Sequence, residues 1–292
     1  MRKIYTSVDL GSDSIKIMVG EMYENKLNVL AVTSVKSRGI KKGLIVDADD
    51  ILSSLKEAIS EIENKLLITI DKVVASVPSY YSNFEIVNGE IDIDSDGVRV
   101  IGTDISSVLK NAISGKIKKD RELVTVIPIY FTVDGKRNIK DPKGLICKKL
   151  GVKAMMVTVP SKSVASIISL FQSIGIDVVD INLGPIADYM EFKNSNLDDG
   201  LSAVINIGYD ITTVSLFNKG IIINSEIINI GGRNIDNDIS YVFKIDNRES
   251  SKLKENFAVA HKKFSRVNDT KECINMNSDL VTINQYDISQ VV

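Results

Sequence analysis

Apolar and polar positions alternate from Ile4 through Thr6 and Val8, break at a polar stretch, and resume through Ile15, Ile17 and Val19. This pattern predicts two strands joined by a tight turn, Asp9 to Lys16. A third strand follows at Leu27–Val35 and stops at Ser37-Arg38-Gly39. The period then becomes helical: Ile51, Leu55, Ala58, Ile59, Ile62 and Leu66 share one face, behind an acidic start at Asp47-Ala48-Asp49-Asp50 that complements the helix dipole. Lys72–Val77, a β-branched run closed by Pro78, suits a buried strand after a helical crossover. The order to this point is βββαβ.

From Asn83 the pattern changes. Phe84–Ile93 alternates, with turn signals at Asn88-Gly89 and Asp94-Ser95-Asp96-Gly97. Thr103 is placed to cap a helix reaching Ile117 through Val108, Leu109, Ala112 and Ile113. Two strands follow, Leu123–Val133 and Val152–Val159, joined by a loop at Asp134–Lys143. Pro128 has no amide for a ladder hydrogen bond, so an edge or a bulge is expected there. Residues 83–159 read as a compact α+β insertion in the first domain. Lys162–Ile174 is then a helix ended by Gly175, Ile176–Leu183 a strand, and Pro185 opens another helix. The polar run Asn194–Gly200 is the expected domain boundary.

Beyond it the opening arrangement returns. Leu201–Ile207 is a strand, Gly208–Ile211 a turn, Thr212–Phe217 a strand, Asn218-Lys219-Gly220 a turn, and Ile221–Ile230 a third strand. At a shift of 197 residues, obtained from the two numberings, Asp9 pairs with Asn206, Gly11 with Gly208 and Asp13 with Asp210. Thr212 and Thr213 fall opposite Ile15 and Lys16. One strand–turn–strand–strand unit repeated in each half points to a duplicated fold with a cleft between the halves. Gly231-Gly232 ends the third strand; Asn234–Phe243 and Ser250–Lys263 read as helices, and the rest alternates weakly to Val292.

Composition narrows the picture without changing it. At 292 residues the chain is long enough for about two domains. Its formal net charge of −2 gives no electrostatic ground for a nucleic-acid partner. Cys147 and Cys273 are far apart and lack metal-ligand spacing, which suits idle thiols in a reducing compartment. His261 has lysine neighbours and no partner pattern, so no catalytic role is assigned to it. No apolar run approaches roughly 18 residues, and the N-terminus lacks a signal peptide's apolar stretch, so a soluble cytoplasmic chain is expected.

The chemistry resides in the two turns. In the first, a carboxylate at the strand end (Asp9) suits a magnesium ion or its waters. Gly11, the hydroxyls of Ser12 and Ser14, and the ammonium of Lys16 suit phosphate oxygens. An ordinary hairpin with polar turn residues is the competing reading of this turn taken alone.

These features resemble the actin/Hsp70/sugar-kinase superfamily and, within it, the bacterial cell-division family FtsA. The resemblance runs over nearly the whole chain: Asp9–Glu21, Ser37-Arg38-Gly39-Ile40-Lys41-Lys42-Gly43, Ile127-Pro128, Phe131–Gly135, Asp141-Pro142, Ile174-Gly175-Ile176, Val204–Phe217 and Gly231-Gly232 with Ile235–Ile239. It implies an α/β, actin-like ATPase fold: two ribonuclease-H-like lobes around a cleft, with an FtsA-type, SHS2-like insertion called 1C. The layout would be 1–82 and 160–197 for the first lobe (1A), 83–159 for 1C, 198–240 for the start of the second lobe (2A) and 241–292 for part of its outer subdomain (2B). The implied function is a division-ring adaptor that polymerises and ties FtsZ to the cytoplasmic face of the membrane, with ATP and magnesium as assembly cofactors. Implied partners are the FtsZ C-terminal peptide, further copies of the chain, and other division proteins through 1C. By this resemblance Asp9, Gly11, Ser12, Asp13, Ser14 and Lys16 contact phosphate or magnesium from one side. Asn206, Gly208, Thr212, Thr213, Gly231 and Gly232 do so from the other, and Asp9 and Asn206 hold the metal through water.

Three departures qualify this. Asn206 stands where the family has an aspartate, which keeps an oxygen and loses a charge. Two glycines of the family's second segment are Tyr209 and Asp210, side chains that either crowd and repel a polyphosphate or turn to solvent. The chain also stops before the family's adenosine motif and its membrane-targeting helix, so a fragment with poor ATP binding and an incomplete second lobe is expected. An active ATPase or phosphotransferase is the alternative. Asp188 is the only residue nominated as its base, against a capping or solvated carboxylate. A pilus-assembly adaptor that shares both fold and insertion is a third reading, and Ser37–Gly43 favours the division family over it.

Overall fold

The computed structural model describes residues 3–24, 26–94 and 97–292. They divide into two compact units: one of the residues up to Asn206 with Thr213–Ile227, the other of Ile207–Thr212 with Ile228–Val292.

The first unit opens with β1 (Lys3–Leu10), β2 (Ser14–Tyr23) and β3 (Lys26–Lys36), an antiparallel meander. Alternation decides which side is buried: Val8, Ile15, Ile17 and Val19 are fully buried, while Asp9 and Lys16, partners in the ladder, are exposed. A small hairpin, β4 (Ile40–Lys41) and β5 (Leu44–Ile45), precedes α1 (Ala48–Leu66). The sequence pattern had no signal for so short a pair. Asp47 caps α1 by accepting hydrogen bonds from the amides of Asp49 and Asp50, and Leu67 closes it in the left-handed conformation. The face carrying Ile51, Leu55, Ala58, Ile59 and Ile62 is buried, each large side chain contributing about 1.5–3 kcal/mol. The chain then enters β6 (Lys72–Val77), parallel to β1 and beside it in the sheet.

The insertion begins with β7 (Asn83–Asp92) and the short β8 (Val98–Arg99), then α2 (Gly102–Ile113). Three expectations change here. Asn88-Gly89 is not a turn but lies inside β7, because α2 crosses it closely: a Cβ on Gly89 would stand 2.5 Å from the Ala112 amide nitrogen. Part of the expected turn, Ser95-Asp96, lies outside the described residues. Thr103 is within α2 rather than capping it; Asp104 instead reaches back to the Ile101 amide at 2.9 Å, and the helix ends at Ile113, before left-handed Gly115.

Next come β9 (Arg121–Val133), β10 (Lys136–Ile139) inside the expected loop, β11 (Ile146–Cys147) and β12 (Lys149–Pro160). The sheet order is β10-β9-β12-β7, and the β9–β12 register shifts beside Pro128, which supplies the anticipated bulge. Val87, Val108, Ala112, Phe131, Leu150 and Met156 are among the side chains of this insertion's own core.

The chain returns through α3 (Ser161–Gln172) and β13 (Asp177–Leu183), which extends the first sheet to β13-β6-β1-β2-β3. After α4 (Gly184–Phe192) and α5 (Ser195–Asp198), β14 (Leu201–Ile207), β15 (Thr212–Asn218) and β16 (Ile221–Ile228) form the predicted three-stranded repeat. Tyr189 on α4 stacks on Phe217 and donates to Asp198, and burial with that hydrogen bond pushes its phenol up to about 12.

The second unit contains α6 (Gly232–Phe243), α7 (Asn247–Asn256), a 3-10 turn at Lys262–Phe264, the hairpin β17 (Thr270–Ile274) and β18 (Leu280–Asn284), and α8 (Gln285–Val291). The helix expected at Ser250–Lys263 instead starts on the Asp246 cap and stops at Asn256, where Phe257 leaves helical geometry and packs into the core. The weakly alternating tail is the β17–β18 hairpin; Asn275 folds its turn by accepting from the Asn277 and Asp279 amides. Ile239, Ile245, Leu253, Phe257, Cys273, Ile283 and Ile288 form the core.

Candidate functional site

The first turn joins β1 to β2 and is bent tightly around Gly11, where a Cβ would stand 2.7 Å from the Ser14 carbonyl oxygen. Asp9 is exposed at the end of β1, and its Oδ1 accepts from the Ser76 hydroxyl of β6 at 2.8 Å. Ser12 Oγ accepts from the Gly43 amide at 2.9 Å, which leaves the hydroxyl proton free to point at a ligand. Asp13 pairs with Lys36, and its carbonyl accepts from the Ser37 amide at 2.8 Å. Ser14 is buried and Lys16 exposed. The segment Ser37–Gly43 therefore braces this turn. The sequence placed that segment among the family's features without showing that it folds back here.

Asp188 and Asn206, predicted for different roles, are brought together: Asn206 Nδ2 donates to Asp188 Oδ2 at 2.8 Å. The Asn206 side-chain oxygen remains as a donor atom for a metal or its water. The Asp188 carboxylate is engaged as an acceptor. Thr213 is half-buried on β15.

The second turn repeats the backbone device of the first. A Cβ on Gly208 would stand 2.9 Å from the Ile211 carbonyl oxygen, the same i to i+3 contact as Gly11 with Ser14. Gly231 fits against the turn so closely that a Cβ would meet the Tyr209 and Gly208 carbonyl oxygens at 2.5 and 2.6 Å. The Gly232 and Arg233 amides donate to the Gly208 and Tyr209 carbonyls, both at 2.8 Å. Thr212 Oγ1 donates to the Ile230 carbonyl at 2.8 Å.

The expectation that these side chains turn to solvent does not hold. Asp210 does not face solvent; its carboxylate is buried against Arg233 Nε at 2.9 Å, and the guanidinium also lies over the half-buried Tyr209 ring. Its charge is neutralised inside the chain. Sequence reasoning missed Arg233, although a basic residue directly after Gly231-Gly232 was the available signal. It also missed Lys254, whose ammonium contacts buried Asp236 at 2.7 Å and the Gly232 carbonyl at 3.1 Å; nothing in the sequence marked that lysine.

The first turn therefore fits a phosphate and a hydrated magnesium ion, whereas at the second the Gly208, Gly232 and Arg233 amides and the Thr212 hydroxyl are engaged by the protein itself. Among the described residues no three His, Cys, Asp or Glu side chains converge as a metal cluster, and no helix is long and apolar enough to cross a membrane. Cys147 and Cys273 are buried free thiols. A cavity of about 310 Å³ elsewhere in the first unit, beside Tyr189 and Phe217, is lined by none of the predicted site residues.

Comparison with known proteins agrees with this anatomy. Residues 81–158 match the SHS2 domain inserted in FtsA, and residues 203–289 match the family described as cell division protein FtsA. The chain is 31% identical to cell division protein FtsA of Streptococcus pneumoniae over 88% of its own length and 56% of that protein. It is 29% identical to the Bacillus subtilis protein of the same name over 89% of its length and 59% of that protein. The chain thus spans a little over half the length of these relatives. Among solved structures it resembles MreB5 of Spiroplasma citri bound to ADP, with a TM-score of 0.55, 13% identity and coverage of 99% of this chain and 74% of that one. It also resembles the PilM–PilN type IV pilus biogenesis complex, with a TM-score of 0.55, 14% identity and coverage of 87% and 69%. Those two likenesses establish an actin-like fold. With an SHS2 insertion in that fold and FtsA relatives along nearly its whole length, the chain belongs to the FtsA family of cell-division proteins.

Proposed function

We propose that this chain works as an FtsA-type adaptor of the division ring: a scaffold that associates with copies of itself, binds the C-terminal peptide of FtsZ and acts at the cytoplasmic face of the membrane. The observation that carries this reading is the SHS2 insertion at residues 81–158 within an actin-like fold. Identities of 31% and 29% to FtsA proteins, against 14% to the pilus biogenesis complex, favour the division family over a pilus adaptor, which shares fold and insertion. The lobe layout 1–82 with 160–197, 83–159, 198–240 and 241–292 belongs to the same proposal.

ATP with magnesium is the proposed assembly cofactor, and the first turn is the wall that would hold it. Gly11 lets backbone approach the phosphates, Ser12 and Ser14 offer hydroxyls, Lys16 a cation, and Asp9 an oxygen for the hydrated metal. Asp13 contributes through its braced backbone. Bound magnesium would neutralise phosphate charge. Of the residues expected in the second segment, Asn206, with its open oxygen, and Thr213 remain available; Gly208, Thr212, Gly231 and Gly232 shape the second turn. An adaptor is favoured over a phosphotransferase because Asp188, the one base nominated, already accepts from Asn206.

Immobilised FtsZ C-terminal peptide, beside a scrambled control, tests the adaptor role. Selective retention of the chain is expected; equal or no retention sinks the FtsZ-binding reading.

A further inference from the structure

The second unit holds an internal ion pair that the scaffold reading leaves unexplained. Asp210 occupies the place that the repeat assigns to Asp13, yet the two carboxylates live differently. Asp13 is 44% exposed and its Lys36 partner 70%, whereas the Asp210 side chain is 1% exposed against Arg233. The donors around it are consumed by the protein: the Gly208 amide by the Ile211 carbonyl, the Gly231 amide by Asn234 Oδ1, the Gly232 and Arg233 amides by the turn's own carbonyls, and the Thr212 hydroxyl by Ile230. Lys254, the second cation close to this helix start, contacts Asp236, whose carboxylate is 2% exposed. Two cations and a helix N-terminus would attract an anion; two buried carboxylates already answer them.

We propose that Asp210 is a built-in counter-anion: its carboxylate takes, against Arg233 and the start of α6, the electrostatic role of a ligand phosphate and keeps this turn closed to polyphosphate. The inference rests on reading the second turn as the echo of a phosphate segment. A carboxylate tethered two residues from the glycine of its own turn competes at high effective concentration with any free anion. An added phosphate would also meet its negative charge in poorly solvated surroundings. Tyr209 reinforces the closure by holding the guanidinium over its ring.

The test uses magnesium tripolyphosphate, which has no purine, so it reads phosphate contacts alone. In titration calorimetry the Asp210→Asn chain should bind the probe about tenfold more tightly than the native chain, because a charge-assisted contact to Arg233 becomes available. Adding Arg233→Ala to Asp210→Asn should remove the gain. Equal affinity of the native and Asp210→Asn chains overturns the proposal. If Asp210→Asn does not fold, nitrogen-15 spectra of the native chain decide: the Tyr209–Arg233 amides and the Arg233 Nε–H should stay unshifted as probe is added, and saturable shifts there overturn it. Shifts at Gly11–Ser14 report separately on the first turn, so failure of the phosphate reading is distinguishable from failure of this one.

Discussion

The two turns of this protein share a backbone and differ in what surrounds it. Gly11 and Gly208 each press against the carbonyl three residues on, at 2.7 and 2.9 Å for a hypothetical Cβ. The first turn keeps its charged groups at the surface, with a solvent-exposed Asp13–Lys36 pair and a Ser12 hydroxyl whose oxygen is held by Gly43. The second buries its carboxylate on Arg233 and engages its neighbouring amides. An exposed pair is weak and yields to a ligand, while breaking a buried pair strands a charge. The difference teaches that two turns of one backbone shape can hold a carboxylate in opposite ways, one at the surface and one buried on an arginine.

That contrast can be broken in graded steps. The largest effect is expected from Gly231→Ala, whose Cβ would stand 2.5 Å from a backbone oxygen of the second turn. Overpacking against backbone predicts a loss of about 3 kcal/mol in urea unfolding of the second unit. A loss below roughly 1 kcal/mol would mean the helix start does not clamp the turn. Arg233→Ala comes next, at about 2–3 kcal/mol, less than a fully buried pair because the arginine is 38% exposed.

A pH scan supplies a control away from both turns. Unfolded tyrosine ionises near pH 10, but Tyr189 stays protonated in the fold to about 12. Its contribution is complete below pH 10 and falls as pH rises from about 10 to about 12. Tyr189→Phe should abolish that component of the alkaline loss; an unchanged slope would contradict the assignment. The smallest effect belongs to Lys36→Ala, at most about 1 kcal/mol and erased near 1 M salt. A loss as large as that of Arg233→Ala would erase the distinction between the turns.

Much of this was legible in the sequence because it depended on local pattern. The meander from Lys3, the α1 face from Ile51 to Ile62, the parallel strand at Lys72–Val77 and the repeat at Leu201 are all statements about period and spacing. What escaped was set by tertiary approach. Asn88-Gly89 has the composition of a hairpin turn, but the glycine is there for the close passage of α2. Thr103 has the chemistry of a cap, yet Asp104 makes the bond to the helix entry. In the candidate site, the two turns were readable from local pattern, while the braces (Ser76, Lys36 and the Gly43 amide) come from elements distant in sequence. Asp210 was readable as an intruding charge; its neutralisation required seeing Arg233 and the turn in one place.

The central claim is that phosphate is received by the first turn and refused by the second. Residue-resolved nitrogen-15 spectra of the native chain, recorded as magnesium-ATP is added, test it most directly. The account predicts saturable shifts at Gly11, Ser12, Asp13 and Ser14, with Gly208–Ile211 and Gly231–Arg233 unmoved. Saturable shifts confined to the second turn and the start of α6, with the first turn silent, would contradict it.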